Sequence, residues 1–305
     1  MIAKPPPDPL HPPTGVALDA LAPRRFVVFA IILTLAFAKP LLDLFRLSLH
    51  DSFFSHLPLI PVITGYLLWI RRHNLKGFLG GARWPGLVLA LAAIGVLTWA
   101  FVGPSAGSPM AAPDRLAAFI FAFCLLLWSG GFLTLGGTFM RAVVFPALFL
   151  VFMVPLPPAW VSALESFLQH ASAEAAYAML QMTGMAMVRD GTVFQMPGLT
   201  IEVAPECSGI RSSLVLFLTA LLAGHLFLRT PWKSALLALL VIPLGILRNG
   251  FRILVISLLC VHVDPAYIHS PIHHKGGPIF FALSLIPFAL VLFWLWKTEQ
   301  RPRQP

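Results

Sequence analysis

Long apolar runs alternate along this chain with short clusters of lysine, arginine, proline and histidine. Eight runs are almost free of charge, at about 26–45, 57–70, 84–102, 115–135, 142–160, 210–228, 233–259 and 278–296. Roughly 18 or more such residues can cross about 30 Å of hydrocarbon as a helix. The second run is short and is expected to begin nearer Phe53. Pro61, Gly95, Pro146 and Pro243 fall inside runs, which neighbouring helices can tolerate by satisfying the freed backbone groups. The pattern predicts an all-α integral membrane protein, a bundle of about eight transmembrane helices.

The longest stretch between runs is about 161–209. Val161 to Met187 has helical spacing and few charges, Glu165 and Glu174 among them. It is expected to lie along the interface as an amphipathic helix, with a re-entrant or spanning helix as the alternative. Arg189-Asp-Gly-Thr-Val-Phe-Gln-Met-Pro-Gly-Leu-Thr-Ile-Glu-Val then carries Asp-Gly and Pro-Gly turn signals around short alternating runs. This predicts a small β-hairpin, Val193–Gln195 against Leu199–Val203, leading straight to Cys207.

Composition sharpens the class. Of 305 residues, 58% are apolar and 11% charged, and the mean hydropathy is +0.85, values of a polytopic membrane protein. The formal charge of +9 does not point to nucleic acid, because the cations form no continuous stripe. They set orientation instead. With the N-terminus in the cytoplasm, the inner segments carry thirteen lysines and arginines and the outer ones six, with Arg248 and Arg252 inside the seventh run. That bias places both termini inside and 161–209 outside. Residues 1–23, rich in proline, read as a disordered cytoplasmic tail. Residues 24–299 form the membrane domain and 300–305 a second cytoplasmic tail.

Three features at the outer face carry candidate chemistry. Cys207 sits in Val203-Ala-Pro-Glu-Cys-Ser-Gly-Ile-Arg-Ser212, where polar residues give way to an apolar run. Pro205 holds Ala204 extended, so a helix is expected to begin near Cys207–Ser208. The thiol would then feel the positive end of the dipole, with Arg211 four residues on along the same face, and both favour the thiolate. Arg248 and Arg252, four apart in an otherwise apolar run, lie about 24 Å and 30 Å from Trp232 at ~1.5 Å per residue. Charge at that position usually faces a bundle interior or wet cavity, and the adjacent Asn249 argues against simple snorkelling. His269, His273 and His274 fall in the outer loop before the last run. Pro271 spoils a helical metal pair, and general acid/base work suits an imidazole better. No cofactor and no metal are expected. A thiol, a guanidinium and an imidazole at one water–lipid face are the parts for acyl transfer.

The same residues resemble a known family, the exosortases and archaeosortases. The resemblance rests on Val203-Ala-Pro-Glu-Cys-Ser-Gly-Ile-Arg-Ser212, on Asn249-Gly-Phe-Arg-Ile253 and on His273-His-Lys-Gly-Gly277, in that order and spacing. A weaker match is Ser55-His-Leu-Pro-Leu-Ile-Pro61, to which no role is assigned. The resemblance implies a membrane-embedded cysteine transpeptidase or protease of the bacterial or archaeal plasma membrane. Its partners would be membrane-anchored precursors ending in a short motif, a hydrophobic helix and a basic tail, and a lipid-linked or polysaccharide acceptor. Carried over, the catalytic residues are Cys207, Arg252 and His273, with Arg211, Arg248, Asn249 and His274 in support. His274 could replace His273, and Arg248 could share the role of Arg252. The alternatives are a non-enzymatic scaffold or transporter subunit for exopolysaccharide export, and a metal-dependent hydrolase using the histidines.

Overall fold

The structure, a computed structural model, describes residues 21–75, 80–102, 112–197, 199–203, 208–264, 266–267 and 276–300. The predicted tails 1–23 and 300–305 therefore lie almost wholly outside the described residues. The chain divides into two compact units, Met1–Pro158 and Ala159–Pro305.

Among the described residues, six helices are long and apolar enough to cross a membrane: Ser52–Arg72, Trp84–Val102, Pro113–Thr134, Ile210–Phe227, Pro231–His262 and Gly277–Gln300. Two broken pairs, Ala22–Ala36 with Ala38–His50 and Val144–Met153 with Pro158–Met182, raise the number to eight if each counts as one span. The chain is an all-α multi-pass membrane protein with one small antiparallel sheet. Side chains such as Leu91, Leu290 and Trp294 are largely exposed, as expected of surfaces that meet lipid.

In the first unit, α1 (Ala22–Ala36) starts with a proline in its first turn, where the missing N–H costs nothing. The run expected at 26–45 is not one helix. It breaks at Phe37, and α2 (Ala38–His50) leaves at 69°. The cause is Pro40, whose ring collides with the carbonyl four residues back, at Ala36. After α3 (Leu59–Leu75), α4 (Trp84–Val102) packs on α5 (Ala112–Thr134) closely enough for Ser129 Oγ to donate to Gly86 O at 2.7 Å. Next come α6 (Gly137–Ala142) and α7 (Val144–Phe149), where Ala147 O accepts from Trp128 Nε1 at 3.0 Å. The run expected at 142–160 is also interrupted. A 3-10 turn, Leu150–Met153, ends at extended Val154 before Pro155, as pre-proline geometry requires. Cys124 is fully buried with Sγ 3.8 Å from Leu150 O, which accounts for it as packing.

The second unit opens with α8 (Pro158–Met182), so Val161–Met187 is helical for most of its length, with Leu168, Ser172, Ala173, Ala176 and Leu180 buried along one face. A sheet follows: β1 (Val188–Asp190), β2 (Val193–Met196) and β3 (Leu199–Glu202), in that order and antiparallel. The expected hairpin is present, with Val193 opposite Glu202 and Gln195 opposite Thr200. The third strand was not expected. Asp190-Gly191-Thr192-Val193 is itself a two-residue hairpin, Asp190 facing Val193, which the Asp-Gly signal favours. Phe194, Met196, Ile201 and Val203 from the sheet pack with Ala173, Ala176 and Leu180 of α8 and with Ile253. Arg189 fastens the outer strand: it pairs with Glu174 at 2.7 Å and lies over the rings of Tyr177 and Phe194. The Glu174 carboxylate pushes ionisation of Arg189 up from the ordinary arginine range. Then come α9 (Ile210–Phe227), α10 (Pro231–His262) and α11 (Gly277–Gln300).

Candidate active site

The site is built around one turn of α10. Arg248 and Asn249 are buried there, and Arg252 is half-buried one turn further along. A guanidinium at such a place costs about 2.5–3.5 kcal/mol on insertion scales, so its surroundings matter. Arg248 Nη2 donates to Gly209 O at 3.3 Å and to Ser213 Oγ at 3.2 Å. Its Nη1 is buried and makes no hydrogen bond among the described residues. No carboxylate pairs with Arg248 among the described residues.

Gly209 is the hinge before α9. Its φ of +74° is left-handed, a conformation that costs an L residue roughly 1–2 kcal/mol. A Cβ there would also lie 3.2 Å from Arg248 Nη2 and 3.4 Å from Asn249 Cγ. Its carbonyl accepts from Ser213 N and Ser212 Oγ at 3.0 Å, in addition to Arg248. Ser208 is buried, and its Oγ accepts from Ile210 N at 3.4 Å. The helix therefore begins at Ile210, not near Cys207–Ser208. Gly209 ends any continuation backwards, so Cys207 precedes the helix by three residues. The expected alignment of Arg211 with Cys207 depends on a residue outside the described ones; Arg211 itself is exposed.

The segment before the cysteine is fastened as well. Val203 N donates to Thr192 O at 3.0 Å, and Gln169 Nε2 of α8 donates to Val203 O. Residues 204–207 lie outside the described residues; on either side of them, Val203 is held by Thr192 and Gln169, and Gly209 by Arg248. Neither Gln169 nor Ser213 was singled out in the sequence. Gln169 offered no distinguishing signal, because it stands beside His170 in a stretch that also holds Glu165, Ser166, Ser172 and Glu174.

The α10 turn meets three other neighbours. Gly250 lies against α8, where a Cβ would fall 2.9 Å from Ala175 Cβ and 3.1 Å from Ala176 N. Ile253 and Leu254 pack with the sheet cluster. Phe251 meets Phe280, in the first turn of α11, edge-to-face at 6.2 Å, and Gly276, whose carbonyl accepts from Ile279 N and Phe280 N, is buried. The turn bearing Arg248, Asn249 and Arg252 is thus where the start of α9, the start of α11, α8 and the sheet come together.

Cys207, His269, His273 and His274 lie outside the described residues. Of the sequence-derived site, the structure brings Arg248, Asn249 and Arg252 together on α10 and adds Ser208, Gly209 and Ser213. Among the described residues, no cluster of three His, Cys, Asp or Glu could hold a metal ion.

A family model described as transmembrane exosortase matches residues 48–290, well over half of the chain. Comparison with curated proteins and with solved structures finds no match.

Proposed function

The chain belongs to the transmembrane exosortase family, and from that premise we propose that it is a membrane-embedded cysteine transpeptidase or protease acting on exported proteins. Membership implies a sorting-related, transpeptidase-like role in general terms. The finer reading is that it recognises a C-terminal signal made of a short motif, a hydrophobic helix and a basic tail. Cys207 is the nucleophile, Arg252 the oxyanion donor and His273 the general acid, with His274 the alternative imidazole.

Cys207 Sγ attacks the scissile carbonyl and forms a C–S bond. The guanidinium of Arg252 takes the negative charge that grows on oxygen. The C–N bond then breaks, and the imidazole gives its proton to the leaving amine. The remaining thioester is resolved by an acceptor nucleophile, such as a lipid-linked or polysaccharide group, or by water. The site faces the outside of the plasma membrane, with both termini in the cytoplasm.

One observation carries this reading: Gly209, two residues after Cys207, accepts from Arg248, and Phe280 in the first turn of α11 packs on Phe251 of the α10 turn that bears Arg252.

The test is maturation of a precursor carrying the tripartite C-terminal signal, co-expressed with the full chain. Wild type shortens it; Cys207→Ala, inserted and folded normally, leaves it uncut. Normal shortening by Cys207→Ala would end the proposal.

A further inference from the structure

The first unit contains a cavity of about 1220 Å³ that the proposed reaction does not use. α2 forms one wall. Lys39, Asp43, Arg46 and His50 succeed one another at spacings of four, three and four, which makes them one stripe of the helix. All four line the cavity, as does Arg115 near the start of α5. The rest of the wall is largely apolar, with Phe37, Leu97, Phe101, Leu116 and Phe119 prominent. Phe101 and Phe119 meet edge-to-face at 5.2 Å.

The charges do not cancel. Asp43 is the one carboxylate of the lining and stands 3.4 Å from Arg46. Lys39 and Arg115 are exposed and form no ion pair among the described residues. The cavity therefore presents a surplus of two positive charges beside aromatic walls. A small inorganic anion would leave those walls unused, and an uncharged chain would leave the cations unused. A single ligand that uses both has an anionic headgroup and a hydrocarbon tail.

A second observation fits an interfacial position for the cations. Leu42, Phe45 and Leu49, spaced three and four apart on α2, are exposed beside the charged stripe. α2 also turns 69° away from α1. A short helix with one exposed apolar face and one basic face is the form that lies in a membrane interface, where anionic headgroups gather around Lys and Arg.

We propose that this cavity binds a membrane lipid through a phosphate-type headgroup. Lys39, Arg46 and Arg115 hold the phosphate, and Phe37, Phe101 and Phe119 take up the first part of the chain. The proposal does not depend on Cys207 chemistry.

The test uses the full-length chain in nanodiscs of phosphatidylcholine containing phosphatidylglycerol as a minor component, with retained lipid read by native mass spectrometry. Wild type is expected to retain phosphatidylglycerol selectively. The double variant Lys39→Gln, Arg115→Gln should weaken retention about tenfold or more, since each cation contributes several-fold at a headgroup. If the double variant does not fold, Arg115→Gln alone should weaken it about fivefold. Phe119→Ala should weaken lipid retention as well. Equal retention of phosphatidylcholine, or retention unchanged in a folded charge variant, would overturn the proposal. Displacement of the lipid by millimolar inorganic phosphate would assign the cations to a soluble anion and overturn it too.

Discussion

The two arginines of α10 differ in burial, and that separates their expected roles. Arg248 is buried, and one nitrogen of its guanidinium, Nη2, donates to both Gly209 O and Ser213 Oγ. A lysine ends one bond short of Nη2 and carries a more strongly hydrated charge, costlier to bury. Arg248→Lys should therefore lower stability by about 1–3 kcal/mol, read as a drop in melting temperature. Arg252 is half-buried one turn on and is assigned to the oxyanion. Arg252→Lys should cut precursor processing by about 10²-fold or more and, at a half-buried position, lower the melting temperature less than Arg248→Lys does. Equal losses of stability in the two variants would remove the distinction. The contact between Arg248 and Gly209 joins positions 39 residues apart, so no local spacing could have revealed it. What the sequence did reveal was an arginine pair and an amide on an apolar helix, residues too costly there to be idle.

Helix boundaries and packing are where elements decide the outcome. Gly250 lets α8 approach α10 within backbone contact, and small residues are what permit such approach between membrane helices. Gly250→Leu should push the helices apart, loosen the sheet cluster that Ile253 completes, and lower both melting temperature and processing. At the other end of α10, Glu299 accepts from Arg229 N at 2.8 Å and Thr230 N at 3.0 Å and lies 3.7 Å from Lys233 Nζ. The last turn of α11 thereby caps the first turn of α10. Glu299→Ala strands those donors and should cost about 1.5–3 kcal/mol, visible as a lower melting temperature with Cys207 labelling retained.

Elements with strong local signals were legible: the apolar runs, and a hairpin marked by its turns. The third strand had the same Asp-Gly signal on its other side. The breaks at Phe37 and after Met153 were legible only through Pro40 and Pro155, which apolar periodicity alone passes over. The start of α9 lies two to three residues later than expected because Gly209 adopts a left-handed conformation, with its carbonyl held by Arg248.

At the scale of the whole chain, the helical membrane architecture follows from the hydrophobic pattern, and membership of the transmembrane exosortase family rests on the match over residues 48–290. The motifs are separated by long apolar stretches, and α10 is the element that reconnects their flanks. The position of Arg252 one turn beyond Arg248, with the start of α9 on one side and the start of α11 on another, makes the proposed chemistry depend on an interior turn of α10 and two helix starts rather than on any one motif.

The central claim is that a thiol, a guanidinium and an imidazole share one pocket open to the exterior. It is tested most directly by the pH dependence of Cys207 alkylation. The reagent is membrane-impermeant and applied from outside, to a chain in which Cys124 and Cys260 are replaced by alanine. If Arg252 and His273 stand beside the sulfur, their positive charge favours the thiolate, and Arg252→Gln or His273→Ala should each shift the labelling curve to higher pH. Curves that coincide in all three proteins, or no labelling from outside, would contradict the account.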